Sequence, residues 1–305
     1  MADAARRLPI LCVGALTLDT IFQLTELPPG PGKFLPTAAV EIAAGMASSA
    51  ATAIARLGGA VALWASVGDD ATGERLIREI AAEGVDCSAV RTVPDSRSAF
   101  ATILVDPAGE RIIVPHYDAA LLAEPKEVPA IAAETHAAVM VDVRWPLAAA
   151  KALASARAAG IPAILDADVT TAETLELLLP LATHIVASEP AAQRLTGSDD
   201  PAIAVASLAS RFNAFVAVTA GGQGVYWFDR ATDRALHRAA PRIIARDTLA
   251  AGDVFHGAFA LGLVQNWPMD RIMAFASMAA AIKCETFGGR LGAPTRQVVE
   301  ARMAK

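Results

Sequence analysis

Asp253 stands directly after Ala250-Ala251-Gly252, at the head of a helix-patterned apolar run, "DVFHGAFALGLV". Those residue types in that order suit one kind of chemistry. Backbone N–H groups in the first turn of a helix lack intrahelical partners and point outward. With the helix dipole they form an anion site. The small residues Ala250, Ala251 and Gly252 would let a phosphate approach their amides closely. A carboxylate beside such a site repels the anion, so anion binding alone leaves Asp253 unexplained. It fits a general base that takes a proton from an attacking hydroxyl while the amides hold a transferring phosphoryl group. Helix capping is the plainer reading of the same aspartate, and the bare pattern leaves both open.

Two further stretches bear on the choice. "AAGMASSAATAIARLGG", Ala43 to Gly59, is a glycine-opened helix followed by "VALWASVGDDATGERL". It contains neither a dinucleotide fingerprint nor a Walker loop, and by itself it is a structural helix. "VTAGGQGVYWF", Val218 to Phe228, sets a glycine turn after an apolar run. Such a turn lets a flat ring or a phosphate come near the backbone, or simply links two strands.

These residues need a frame. "PILCVGAL", "AVALWASVG", "AVMVDVRW", "PAILDADV", "HIVASE" and "AFVAVTAGG" read as buried strands, with Ala/Leu-rich helical stretches between several of them. The alternation predicts an α/β fold, a doubly wound and mostly parallel sheet flanked by helices. Ligands of such sheets lie beyond the carboxyl ends of the strands. Two segments break the rhythm, residues 17–44 and 96–118. The second reads as a hairpin, "SAFATILVD" and "RIIVPH" about a Pro-Ala-Gly turn. Together they predict a small β-sheet lid on a single domain spanning residues 1–305.

Composition narrows the function. The 305 residues are 54% hydrophobic and 19% charged, with a net charge of -6. A globular, acidic chain argues against nucleic acid as a partner. The three cysteines are scattered and form no CxxC pair, which fits free thiols in a reducing cytoplasm. No stretch reaches the roughly 20 apolar residues that span a bilayer, so the chain is expected to be cytoplasmic and off the membrane.

Taken together and in order, the motifs resemble the ribokinase, or PfkB-type, carbohydrate kinases over nearly the whole chain. "DTLAAGDVFHGAF" is similar to that family's C-terminal signature and "AGMASSAATAIARLG…VGDDATG" to its N-terminal one. "VTAGGQG" lies where the family contacts ATP, and "CETFGGRLGAPT" resembles the segment that closes over the nucleotide. The resemblance implies Asp253 as catalytic base, with the amides of Ala250, Ala251 and Gly252 as anion hole. It implies Thr219, Gly221, Gly224 and Gly288 at the ATP site, and Asp19 and Gly45 at the sugar. It also implies Mg-ATP as co-substrate and a homodimer paired through lid strands. Loop carbonyls around Asp247 and Thr248 could add a monovalent-cation (K⁺) site.

The departures from the family are specific. Ala44-Gly45-Met46 replaces the common Gly-Gly-Asn, removing an amide that would hold a sugar hydroxyl. Ser188 and Ala191 occupy the slots of an Asn-x-x-Glu used toward magnesium, so the metal's outer shell falls to Glu189 and Asp166. "PGKF", "VDVRWP" and "LDADVT" look like the sulfofructose kinase branch. That likeness implies phosphorylation of the 1-hydroxyl of 6-deoxy-6-sulfofructose, with Lys33 and Arg144 serving the sulfonate. A forked cation suits such an anion. The branch's asparagine after the hairpin strand is unmatched, and His116, after Pro115, takes its place as a substrate contact. The competing functions are a kinase for a sugar phosphate, a ribose-like sugar or a sugar acid, and a catalytically silent sugar-binding sensor.

Overall fold

The structure, a computed structural model, describes residues 8–304. In chain order they form β1 (Ile10–Gly14), β2 (Thr17–Gln23), β3 (Ala38–Ala44), α1 (Met46–Arg56), β4 (Val61–Gly68), α2 (Ala71–Ala82), β5 (Arg91–Val93), β6 (Phe100–Val105) and β7 (Arg111–His116). There follow β8 (Ala138–Val141), α3 (Pro146–Ala158), β9 (Ala163–Ala167), α4 (Ala172–Leu178), β10 (His184–Ser188), α5 (Glu189–Thr196) and α6 (Pro201–Arg211). The last are β11 (Phe215–Thr219), β12 (Val225–Asp229), β13 (Arg234–Arg238), α7 (Ala251–Val264), α8 (Met269–Cys284) and α9 (Arg296–Met303).

Nine strands share one sheet in the order β13-β12-β11-β10-β9-β8-β1-β4-β5. From β11 to β5 every neighbouring pair is parallel, and β12 and β13 pair antiparallel at one edge. Every residue of β1, β4, β8 and β9 is buried. A strand covered on both faces has no polar side, which is why these segments read as unbroken apolar runs. Successive side chains still part company. Ile10 and Cys12 join a core with Ile54 of α1 and Phe255 and Phe259 of α7. Leu11 and Val13 join the opposite core with Leu153 of α3 and Leu208 of α6. α7 is buried from Val254 to Gly262, so its sequence is apolar around most of its circumference.

The strand order reverses at β1 and β8. From β1 the chain runs outward to β4 and β5, and from β8 it runs the other way to β11. The crevice outside the carboxyl ends at such a switch is where ligands bind in open α/β sheets. Gly14 and the Asp142–Arg144 segment leave the sheet at that point.

The segments predicted to leave the βαβ rhythm do so. They form a separate four-stranded sheet, β3-β2-β6-β7, with β2 parallel to β6 and the other pairs antiparallel. One face carries Ile21, Ile42, Ala44, Ala101, Ile103 and Val105, packed with Leu249 from the loop that leads into α7. The tip of the β6–β7 hairpin clasps the same loop. Thr248 Oγ1 donates to the Gly109 carbonyl at 2.6 Å, and Arg111 Nη1 donates to Thr248 Oγ1 at 2.9 Å. The small sheet is thus tied to the backbone that precedes Asp253.

Candidate active site

The start of α7 presents unpartnered backbone amides. Ala250 takes a left-handed backbone at φ 63°, a costly conformation for a residue with a Cβ, and it turns the chain sharply into the helix. The amide of Ala251 donates to the Thr248 carbonyl at 3.2 Å. It is therefore spent on the turn, contrary to the sequence expectation that it would face the anion. The amides of Ala250, Gly252 and Asp253 have no partner among the described residues. A Cβ built on Gly252 meets no atom within 4 Å, so the space on that side of its Cα is open.

Asp253 follows in the first helical turn, in a ring of acid groups. Its carboxyl is held well above the usual carboxylate range, first by burial and next by Asp166; His256 opposes, and Asp142 and Asp168 add to the rise. A carboxylate that resists ionisation has the proton affinity a general base needs. Asp166 is itself buried and raised in the same way, by burial and then Asp168 and Asp142, against Arg144. His256 was not expected to take part. Its ring is buried under Asp253, with Nδ1 2.7 Å from the Gly252 carbonyl oxygen. Nε2 lies 3.1 Å from the Val186 carbonyl oxygen and 3.4 Å from Asp166 Oδ1.

The turns after β1, β3 and β8 meet around Asp142, close to Asp19. Asp19, on β2, is buried and accepts a hydrogen bond from Thr17 Oγ1 at 2.7 Å. Burial raises its carboxyl to about 6, against the Thr17 hydrogen bond and the Arg290 charge. Gly45, between β3 and α1, has φ 111°, and a Cβ there would lie 2.6 Å from the Ala15 carbonyl oxygen. Only glycine lets these two turns close on each other. Asp142, fully buried at the exit of β8, stitches the region together. It accepts from the amides of Ala15 at 2.8 Å, Ala47 at 2.9 Å and Arg144 at 2.7 Å.

Arg144 borders the cleft with Gly14, Leu16, Tyr117 and Trp145. Its guanidinium donates to the Val169 carbonyl at 3.1 Å and to Asp168 Oδ2 at 3.2 Å, and Ser188 Oγ donates to the other Asp168 oxygen. Tyr117 has Asp142, Arg144, Asp19 and Asp253 as its charged neighbours, and burial pushes its phenol far up. Its hydroxyl has no hydrogen-bond partner among the described residues.

The structure therefore sets Asp19, Arg144 and Asp253 around Tyr117, with Asp166 beside Asp253. One expected contact, His116, lies elsewhere. His116 sits opposite Phe100 in the β6–β7 ladder, on the face that alternates away from Asp19, and it packs on the Phe100 ring at 5.2 Å. One residue further along, the chain turns Tyr117 inward instead. Lys33 is exposed in the β2–β3 connection, with no hydrogen bond or ion pair among the described residues.

At the other end of the sheet's edge, Thr219 closes β11 and Gly221 begins the turn into β12. No atom would meet a Cβ on Gly221 or Gly222, leaving room above the turn. Gly224 is different: a Cβ there would stand 2.0 Å from the Arg238 carbonyl oxygen, so it permits the β12–β13 pairing. Gly288 donates its amide to Asp247 Oδ2 at 2.9 Å. Asp166 and Glu189 stand at the carboxyl ends of the adjacent strands β9 and β10. Among the described residues no cluster of three or more His, Cys, Asp or Glu could cage a metal. None of their helices is long and apolar enough to cross a membrane.

His256, Asp142 and Tyr117 escaped the sequence reading. The first had a signal in its place one turn beyond Asp253. Asp142 had one in its position two residues before Arg144, and Tyr117 had one in strand alternation, which turns it away from His116.

Comparison with known proteins bears on the chain as a whole. Residues 8–296 match the model of the pfkB family carbohydrate kinases. The chain is 28% identical to the ribokinase of Haemophilus influenzae, over 95% of this chain and 97% of that one. It is 28% identical to a fructokinase of Klebsiella pneumoniae, over 87% and 89%. A crystal structure from Agrobacterium tumefaciens, provisionally named a ribokinase, superposes with a TM-score of 0.93 at 46% identity, covering 98% of each chain. The Arabidopsis thaliana ribokinase complexed with ribose and ATP has the same fold, with a TM-score of 0.80 at 22% identity.

Proposed function

Because this chain belongs to the pfkB family of carbohydrate kinases, we propose that it transfers the γ-phosphoryl group of ATP to the primary hydroxyl of an anionic ketohexose, 6-deoxy-6-sulfofructose foremost, giving the 1-phosphate. The observation that carries the reading is the gathering of Asp19, Arg144 and a raised Asp253 carboxyl about Tyr117, with unpartnered helix-start amides next to Asp253. Asp253 takes the hydroxyl proton as the bond to phosphorus forms. The amides of Gly252 and Ala250 receive the charge on the transferring group. Asp19 accepts hydrogen bonds from sugar hydroxyls.

Arg144 is built as a reader of charge. Asp168 and the Val169 carbonyl hold its fork in place, which lowers the entropy lost on gripping a sulfonate. The same Asp168 partly neutralises the cation, and that favours a second reading, a neutral ketose or pentose. Asp166 and Glu189 fit contacts to the hydrated magnesium ion that accompanies ATP, whose role is to neutralise phosphate charge. A homodimer through the small sheet belongs to the same proposal. Its edge strand β7 leaves Ile112, Ile113 and Val114 exposed beside an unpaired backbone edge.

A coupled ADP-release assay over a panel of sugars tests the function. The proposal expects the highest kcat/KM with the sulfonated ketose. A preference for fructose or ribose moves the assignment to the second reading, and silence with every sugar returns the sensor.

A further inference from the structure

The monovalent-cation site expected at Asp247 and Thr248 does not fit the groups found there. We propose that Lys283 places its own ammonium in that position, and that the enzyme works without potassium or any other monovalent cation.

Lys283 lies in the last turn of α8, and its side chain is fully buried. Its Nζ donates to the Asp247 carbonyl at 2.6 Å and stands 3.4 Å from Asp247 Oδ2. A buried ammonium is costly unless it is paired and hydrogen-bonded, and here both acceptors come from one residue. Burial pulls the lysine's pKa down and the Asp247 charge opposes that.

Asp247 is also fully buried, and it is a hub. Its carboxylate accepts from the amides of Leu249 at 2.8 Å, Gly288 at 2.9 Å and Gly289 at 2.8 Å. One set of donors leads into Ala250–Asp253, and the other belongs to the segment expected to close over the nucleotide. A monovalent ion bound at this hub would need the Asp247 carbonyl and carboxylate as ligands. Both already face the ammonium, and a second cation at contact distance would meet its full repulsion in a poorly screened interior. The ammonium bears on catalysis only through Asp247. It fixes the carbonyl from which the chain turns toward the left-handed Ala250 and the open amide of Gly252, so Lys283 is a positioning residue.

The inference rests on the kinase reading for its kinetic arm only. With choline as the sole monovalent cation, wild-type ADP release should run within about twofold of the rate in potassium or sodium. The wild-type melting temperature should not respond specifically to potassium. A several-fold dependence of rate, or a potassium-specific rise in melting temperature, overturns the proposal. Lys283→Ala supplies the converse. It should lose at least about tenfold in kcat in choline buffer and recover part of it with potassium or ammonium, and its melting temperature should rise with those ions and not with choline. A Lys283→Ala protein that is folded but indifferent to every cation makes the lysine a plain structural pair and overturns the assignment. Should the variant not fold, the wild-type measurements decide alone. Those on melting need no substrate, so they separate failure of this inference from failure of the kinase reading.

Discussion

The two ends of the cleft are built from different materials. At the end proposed to handle the phosphoryl group the residues are consecutive: Ala250 to Asp253, on one turn of backbone, anchored through Asp247, Thr248 and the tip of the β6–β7 hairpin. At the sugar's far end they are scattered. Arg144 comes from the exit of β8, Tyr117 from the exit of β7 and Asp19 from the middle of β2. In the proposed reaction the first end handles a phosphoryl group that ATP supplies whatever the sugar, and it needs only amides and a base. The second must distinguish one sugar from another, and side chains from separate elements can be exchanged without disturbing the first. On this reading, the transfer chemistry and the recognition of one sugar occupy different kinds of structure.

The comparison is broken most directly at the phosphoryl end. Asp253→Asn removes the base and leaves the amides, so turnover should fall by about 10²–10⁴-fold while ATP binding, read by calorimetry, persists. In the wild type the base works ionised, and its pKa is raised. The rate should therefore climb with pH through a value above the usual carboxylate range. A variant retaining more than about a tenth of wild-type turnover would reduce Asp253 to a helix cap.

Asp19 tests the sugar end through stability. Its carboxyl is raised from 3.8 to about 6. A raised acid stabilises the fold below its unfolded pKa, and that contribution is lost as pH rises through 6. The ionised carboxylate is therefore a liability at pH 8 until a sugar pairs it. Asp19→Asn should raise the stability of the ligand-free protein at pH 8 by up to about 3 kcal/mol relative to its effect at pH 4, and it should weaken sugar binding. Equal effects at both pH values in denaturant melts would mean that the buried charge carries no such cost.

Arg144→Ala sharpens the contrast between the ends. A charge-assisted hydrogen bond is worth about 1.5–3 kcal/mol. The Michaelis constant for an anionic ketose should rise by roughly one to two orders of magnitude more than that for fructose. Losses that match on both sugars would make Arg144 a clamp on Val169 and Asp168, and the anionic reading would fall.

Legibility followed the same division. The large sheet was readable because strands buried on both faces are apolar throughout, as in β1 and β8. The run Ala250 to Asp253 stood out in the sequence because its groups are contiguous. The small sheet betrayed itself by breaking the βαβ rhythm, and its alternation shows in the buried Ile21 and Ile103. The far end was legible only in pieces. Arg144 carried a strand-end position, whereas His116 was one residue out of phase with the pleat, and a shift of one sends a side chain to the other face. Lys33 lies in a connection without periodicity, so no pattern could say where it points. Ala251 was misjudged because its amide is consumed by a local turn to Thr248, which residue type does not encode.

Tyr117 carries the smallest predicted effect and the finest test of whether the far end recognises a particular sugar. Its hydroxyl is a neutral donor without a protein partner, set among Asp142, Arg144, Asp19 and Asp253. A neutral hydrogen bond contributes about 0.5–1.5 kcal/mol net, so Tyr117→Phe, which keeps the ring and its packing, should raise the Michaelis constant of the true substrate by roughly two- to tenfold. Turnover should change little, because the phenol does not move with the transferring phosphoryl group. The variant should also leave the melting temperature of the empty protein almost unchanged, since no protein acceptor loses its donor. If turnover falls while the Michaelis constant holds, the phenol serves the phosphoryl end and the division of labour across the cleft is wrong. If the Michaelis constants of all sugars rise together, Tyr117 contacts a part common to them, and discrimination rests on Arg144 alone.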